Sequence, residues 1–451
     1  MTGPVHSMAV RPTLSDLVQG SPFVTYVYSY PHKIAHRPLQ PAIPLDEAWA
    51  EEPRDSLFLY FHVPFCESRC GYCNLFSLAR PDGDLVDRYV RQVQRQAERV
   101  ARVLRDARFT RLAIGGGTPT FLDVDQLRAM LAVATDVLGA RPHEIPVSVE
   151  ASPTTVNEEK LAVLREFGCD RLSLGIQSFD SSESLALGRP QREEDIRRSI
   201  ESIRRVGFPV LNLDLIYGAP GQDVKRWLKT VEEALRVQPE ELYLYPLYVR
   251  PLTGLGNRHA SWNDVRLDCY REARALLLDR GYRQVSLRMF RAATAPGEEG
   301  PVYRCQEDGM VGLGCGARSY TRRLHYSTPY AVSRSGVRAV LEEFVDRPAE
   351  AFDRADHGIV LDAEDQQRRY VILSLLQAEG LSRAAYQERF ATKVVDDLPS
   401  LGELASLGLL EITDDRLRLT AAGLERSDAI GPWLFSERVC QLMESYSWRT
   451  A

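Results

Sequence analysis

From residue 56 to about 290 the chain alternates short, continuous apolar runs with longer amphipathic stretches. The apolar runs at 56–62, 110–115, 146–151, 171–176, 209–216 and 240–247 predict strands. Apolar positions at helical spacing predict helices over 84–106, 124–138, 157–167, 192–206, 222–237 and 262–280. Strands apolar on both faces and separated by helices belong in a parallel sheet covered by those helices. Six such units predict an α/β fold, a partial (β/α)6 barrel, whose chemistry sits at the C-terminal ends of its strands.

The pattern changes on either side. Residues 1–52 are rich in proline around a compact aromatic stretch, Tyr26, Tyr28, Tyr30, Pro31, His32 and Lys33, and predict an extension packed along the main domain. Residues 53–335 hold the barrel and its closing segment. After residue 340, amphipathic stretches at 363–378 and 382–391 precede a strand-turn-strand signal in Leu401–Thr413 and Leu417–Gly423. These predict a small, mainly helical, winged-helix-like C-terminal domain over 340–451, a lid or docking domain for the barrel mouth.

Composition narrows the partners. A 451-residue chain with 44% hydrophobic and 26% charged residues is long enough for two or three domains with a sizeable core. A net charge of -6, and no dense basic stripe in the C-terminal region, give no reason to expect nucleic acid as partner. No apolar run approaches bilayer length and no signal-type segment opens the chain, so a cytoplasmic protein with no membrane partner is expected. Eight cysteines in such a chain do not suggest a disulfide framework, and Cys169, Cys269 and Cys440 read as packing residues.

The candidate chemistry begins after the first strand, in Tyr60-Phe-His-Val-Pro-Phe-Cys66-Glu-Ser-Arg-Cys70-Gly-Tyr-Cys73. Three thiolates on one short loop can hold three irons of a [4Fe-4S] cluster and leave the fourth without a protein ligand. Electron-carrying clusters usually have four cysteines. A zinc site, with His62 as the nearby fourth ligand, or three packing cysteines are the alternatives. The second strand ends in Gly115-Gly-Gly-Thr-Pro119, where bare backbone can approach a ligand. Glu150, Gln177, Arg189 and Asp214 place polar groups at or after successive strand ends, and together they suit a ligand with amine, carboxylate and hydroxyl groups. Tyr243, Tyr245 and Tyr248 could stack on a flat substrate. Cys305, in Arg-Cys-Gln ahead of glycines 312, 314 and 316, is a candidate substrate contact or hydrogen-atom donor.

The three-cysteine pattern resembles the radical S-adenosylmethionine (SAM) superfamily. There the open iron chelates SAM, and an electron from the cluster splits it to methionine and a 5'-deoxyadenosyl radical. The ordered set of Gly-Gly-Gly-Thr-Pro-Thr, Glu-Ala-Ser-Pro, Leu-Gly-Ile-Gln-Ser-Phe-Asp, Leu-Gly-Arg-Pro and Asp-Leu-Ile-Tyr-Gly-Ala-Pro resembles the anaerobic coproporphyrinogen III oxidase and heme chaperone family over about residues 56–250. Tyr-Ser-Tyr-Pro near the N-terminus is similar to a segment of those oxidases. The resemblance implies Cys66, Cys70 and Cys73 as cluster ligands and Tyr60, Gly116 and Glu150 as holders of the cluster-bound SAM. It implies Tyr72, Gly117, Thr118, Gln177, Arg189 and Asp214 as contacts of a second SAM, so that one or two molecules bind. It further implies a flavodoxin- or ferredoxin-type electron donor and a tetrapyrrole or other planar substrate. The reaction would be hydrogen abstraction followed by oxidative decarboxylation or SAM-dependent C-methylation. Heme delivery is the other activity of the family, but its His-Asn-X-X-Tyr signature is missing here, so an enzyme is expected over a carrier.

Overall fold

The six apolar runs form the strands expected of them: β1 (Leu57–Val63), β2 (Phe109–Gly116), β3 (Val147–Ala151), β4 (Arg171–Gln177), β5 (Val210–Tyr217) and β6 (Glu241–Pro246). Each pairs in parallel with the next, in sequence order. This is a computed structural model that describes residues 11–258, 263–297 and 304–446.

Helices α1 (Gly83–Val103), α2 (Val124–Ala132), α3 (Glu158–Phe167), α4 (Glu193–Val206), α5 (Val224–Arg236) and α6 (Arg266–Asp279) follow the strands in turn. Local signals set their starts. Asp82, Asp123, Asn157 and Asp223 each cap a first turn by accepting from the backbone N–H three residues on. Leu57, Leu59, Phe61 and Val63 of β1 are fully buried on the helix side, so the period of two turns Phe58, Tyr60 and His62 into the lumen.

The sheet does not stop at six strands. Beyond β1 it continues through Met310–Leu313, parallel to β1, then antiparallel through Arg318–Tyr320, Leu324–Ser327, Arg354–Val360 and Arg37–Pro44. Beyond β6 it adds Met289–Ala292 and Tyr282–Gln284. Several of these strands are only three or four residues long, too short for a periodic signal. Residues 340–360, expected in the C-terminal domain, belong instead with the barrel, because Arg354–Val360 hydrogen-bonds between two strands of this sheet. Prolines 38 and 41 lie on the outermost strand, where a missing N–H breaks no inner ladder.

The C-terminal domain has the expected character: helices Ala363–Leu375, Arg383–Phe390 and Leu401–Ser406 with a three-stranded antiparallel sheet of Leu381–Ser382, Arg416–Leu419 and Leu410–Ile412. Its core also takes Leu17, Val27, Tyr30 and Ile34 from the N-terminal extension. The extension is therefore a strap between barrel and C-terminal domain, with no core of its own. Among the described residues no helix is long and apolar enough to cross a membrane.

Candidate active site

One cavity of about 1290 Å³ fills the barrel lumen and its mouth. All thirteen residues expected to hold cluster, SAM or substrate radical line it: Tyr60, Cys66, Cys70, Tyr72, Cys73, Gly116, Gly117, Thr118, Glu150, Gln177, Arg189, Asp214 and Cys305.

The loop after β1 carries the three cysteines, all free thiols facing the cavity. Its entry is held against the end of β2, where the Gly117 and Thr118 N–H groups donate to the carbonyls of Val63 (2.7 Å) and Phe65 (2.8 Å). A Cβ on Gly117 would stand 2.6 Å from the Phe65 oxygen, so this approach requires glycine. Farther along, Gly71 lies back to back with Gly188. The Gly71 N–H donates to Leu187 O (3.0 Å), its carbonyl accepts from Leu255 N–H (2.7 Å), and a Cβ on Gly188 would meet Gly71 at 2.9 Å. That contact accounts for the glycine in Leu-Gly-Arg-Pro and delivers Arg189 to the sulfurs.

Each sulfur has a polar neighbour. Thr118 Oγ1 donates to Cys66 Sγ (3.6 Å), Arg189 Nη1 to Cys70 Sγ (3.4 Å), and Ser77 Oγ lies 3.9 Å from Cys73 Sγ. Burial pushes the Cys66 thiol up to about 12. Such a thiol ionises when iron takes the proton's place. Three cysteines on a preformed loop, with hydrogen-bond donors at sulfur, fit the cluster ligand set. The zinc alternative lacks its fourth ligand. The His62 Nε2–H donates to Phe76 O (2.9 Å), leaving Nδ1 to accept from the Tyr60 hydroxyl (3.2 Å), so both ring nitrogens are engaged. Among the described residues, no three His, Cys, Asp or Glu side chains gather as they would on a single ion.

On the strand ends opposite, Glu150 accepts from the Gly116 N–H (2.9 Å) through Oε2 and otherwise points into the cavity. Loss of bulk water, reinforced by the charge of Asp214, pushes its carboxyl up to about 7. Asp214 is fixed by Ser173 Oγ (3.1 Å) and Asn212 Nδ2 (2.8 Å), and burial raises its pKa as well. Gln177 sits at the end of β4 with φ of 64°, a left-handed conformation rare outside glycine, next to an irregularity in the β4–β5 register. Such strain collects where a site demands a particular side-chain direction. Arg189 also donates from Nη2 to Ser152 Oγ (3.0 Å) and Gly175 O (2.8 Å). Tyr72 lies beside Cys70 and Arg189, its phenol raised well above the ordinary value by burial and then by Cys70.

Cys305 enters from elsewhere. Its segment leads into Met310–Leu313, and Met310 pairs with Phe58 at the N-terminal half of β1, whereas the cysteine loop follows Val63. Five residues of strand, about 16 Å at about 3.3 Å each, separate the two levels. Of the three tyrosines, Tyr245 and Tyr248 line the cavity; Tyr243 does not, donating instead to Met289 Sδ (3.2 Å) beneath Arg171.

Four basic residues of the cavity lining were not named as site candidates in the sequence. Lys33 from the strap, Arg250 after β6, Arg318 from the sheet extension and Arg369 from the C-terminal domain all line the cavity. Their hydrogen-bond and ring partners are neutral, while Arg250 also feels the charge of Asp428 and Lys33 lies near Cys73. Lys33 Nζ lies 3.7 Å from the Tyr330 ring centroid, Arg250 donates to Thr25 Oγ1 (2.8 Å), and Arg318 to Ser29 Oγ (2.8 Å). Arg369 donates to the carbonyls of Cys305 (2.6 Å) and Gln306 (2.9 Å). Lys33 falls in the aromatic stretch that the sequence singled out; the others had no signal beyond residue type.

Comparison with known proteins agrees with this geometry. Residues 60–234 match the Radical SAM superfamily and residues 361–425 the HemN C-terminal domain. The chain is 28% identical over 379 residues to the heme chaperone HemW of Bacillus subtilis, covering 81% of this chain and 95% of that protein. It is 27% identical over 417 residues to the oxygen-independent coproporphyrinogen III oxidase of Pseudomonas aeruginosa, covering 86% of each. The solved structure of coproporphyrinogen III oxidase (HemN) from Escherichia coli superposes with a TM-score of 0.76 at 23% identity, covering 94% of this chain and 98% of that one, a likeness of fold. The Radical SAM match implies a [4Fe-4S] cluster and SAM. A cysteine loop at the mouth of a parallel half-barrel, under a HemN-type C-terminal domain, thus has its relatives in one place: the chain carries a Radical SAM domain and a HemN C-terminal domain, and its relatives are oxygen-independent coproporphyrinogen III oxidases and HemW heme chaperones.

Proposed function

We propose that the chain is a radical SAM enzyme acting on a carboxylate-bearing tetrapyrrole of the coproporphyrinogen type, with oxidative loss of carbon dioxide from a propionate side chain. The observation that carries this reading is that four basic side chains share one cavity with the three thiols. Lys33, Arg250, Arg318 and Arg369 line it with no carboxylate at ion-pair distance among the described residues. An enclosed cation without a counter-charge is costly unless a ligand brings one, and propionates would. The volume, about 1290 Å³, exceeds the roughly 300–1,000 Å³ of ordinary small-molecule sites and leaves room for cofactor and substrate together.

When bound, the cluster and SAM would supply a 5'-deoxyadenosyl radical. The residues around them orient and exclude water. Cys66, Cys70 and Cys73 would hold the iron, with Thr118 and Arg189 as hydrogen-bond donors that stabilise negative charge on sulfur. Tyr60, Gly116 and Glu150 would hold the first SAM, Glu150 facing its ammonium group. Tyr72, Gly117, Thr118, Gln177, Arg189 and Asp214 would form a second SAM site; saturation of the reconstituted protein at one equivalent of SAM would count against it. Cys305 would meet the substrate from the far end of the lumen. A soluble flavodoxin- or ferredoxin-type protein would supply electrons.

The test is anaerobic incubation of reconstituted protein with SAM, a reductant and coproporphyrinogen III. Formation of 5'-deoxyadenosine with release of carbon dioxide is the expected result. The HemW relative, matched over 95% of its length, supports heme delivery as a second reading. Stable heme binding with no SAM cleavage would favour it. Nothing among the relatives above supports the C-methylation branch.

A further inference from the structure

The strand Leu324–Ser327 lies between Arg318–Tyr320 and Arg354–Val360, in a register that sets His325 opposite Tyr320 on one side and Ile359 on the other. His325 and Ser327, two residues apart, both line the cavity, as do Arg318 and Tyr320 of the neighbouring strand. His325 is 0% exposed, yet neither Nδ1 nor Nε2 has a hydrogen-bond partner. Imidazole always carries at least one N–H donor, and a buried polar group left unmet is costly. Other histidines of this region have at least one partner: His62 bonds through both nitrogens, and His36 through Nδ1 to Ser327 Oγ (3.0 Å) although its Nε2 is unmet, whereas His325 has none. A buried ring on a cavity lining with neither nitrogen met points to a ligand that would meet one.

The surroundings define that ligand's charge. The Tyr320 ring centroid is 4.4 Å from that of His325, and the Arg369 guanidinium carbon lies 5.8 Å from the same tyrosine ring. Arg369 is 7% exposed and spends two nitrogens on the carbonyls of Cys305 and Gln306, with no carboxylate partner among the described residues. Arg318 stands on the same face. Burial, then Arg369, His36 and Arg318, hold His325 well below the ordinary histidine range, so it waits as a neutral donor.

We propose that His325, backed by the positive charge of Arg369, is the receptor for one carboxylate of the substrate at the end of the cavity away from the three cysteines, and so selects which acidic side chain of the substrate reaches them. This rests on the substrate reading above. His325 donates its N–H to a carboxylate oxygen, and Arg369 supplies the counter-charge. With one acidic group anchored at the Phe58 level of β1, a different one is presented at the level of Val63.

The test uses the full-length, cluster-reconstituted protein and two probes, coproporphyrin III and its tetramethyl ester, titrated by absorbance against the native chain, His325→Leu and His325→Gln. The expected result is tenfold or more loss of affinity for the free acid in His325→Leu, little change for the ester, and recovery of most acid binding in His325→Gln, which keeps an N–H donor. His325→Leu is also expected to unfold at the same or a higher temperature, because it removes unmet polar atoms. A lower unfolding temperature or failure to fold would make His325 a structural residue and overturn the proposal. Equal loss of acid and ester in His325→Leu, or no loss, would overturn it while leaving the tetrapyrrole reading standing. A native chain that binds neither probe would sink both.

Discussion

Glu150 shows how one residue can tie cofactor affinity to pH. Its carboxyl is raised to about 7 because the cavity cuts it off from bulk water and Asp214 stands nearby, which outweighs the stabilisation of the anion by the Gly116 N–H and the charge of Arg171. An acid raised in this way is protonated below its pKa and ionised above it, and only the anion pairs with an ammonium group. SAM affinity is therefore expected to be flat above about pH 8 and to weaken by about tenfold per unit well below pH 7. Equilibrium dialysis across that range checks it, and Glu150→Gln should bind weakly with no slope. Ionisation of Glu150 also opposes folding of the empty protein, so that part of the stability falls as pH rises from the ordinary carboxyl range through 7. At the sulfurs, Cys70→Ala removes one of the three proposed cluster ligands and the partner of Arg189 Nη1. Loss of the brown absorbance and of SAM cleavage is the expected outcome; full iron content with retained cleavage would contradict the assignment.

At the scale of elements, the cysteine loop depends on contacts made by other parts of the chain. Gly71 and Gly188 touch through bare backbone, and Gly188 adopts φ of 67°. Gly139 has a similar φ of 69°, but a Cβ there would meet nothing within 4 Å. Alanine at either site adds backbone strain of about 1–3 kcal/mol. Only Gly188→Ala also forces the cysteine loop outward. Reconstituted Gly188→Ala should thus lose iron faster than Gly139→Ala under a chelator, and equal rates would show that the contact is unimportant to the loop. Leu-Gly-Arg-Pro marked this segment in the sequence as one motif of the family resemblance. What the glycine touches, more than a hundred residues earlier, was not readable there.

At the scale of the molecule, three parts of the chain meet on Asp428. This fully buried carboxylate of the C-terminal domain pairs with Arg288 next to the last barrel strands and accepts from Tyr248 after β6. It also accepts from the strap through the Val27 N–H (3.4 Å), while its carbonyl accepts from Thr25 N–H (3.3 Å). Removing one partner of a buried ion pair typically costs about 3–5 kcal/mol. Asp428→Asn leaves Arg288 uncompensated, so a loss of that order in urea unfolding is expected, together with easier proteolysis of the strap. The strap is what completes the cavity, since Tyr28 and Lys33 lie on its lining.

The sequence by itself determined the six strands and their order, the cysteine loop, and the polar residues at the strand ends. Those features are local: burial on both strand faces writes a continuous apolar run, and a ligand loop must carry its cysteines at short spacing. Only the tertiary structure decided that the sheet extends to thirteen strands, that Arg354–Val360 belongs with the barrel, and that the strap closes the mouth. It alone brought Lys33, Arg250, Arg318, His325 and Arg369 to one cavity. Those residues come from segments far apart in the chain, and apart from Lys33 none lies in a stretch with a signal of its own. The four basic groups and the neutral imidazole become one set only when the cavity between them is known.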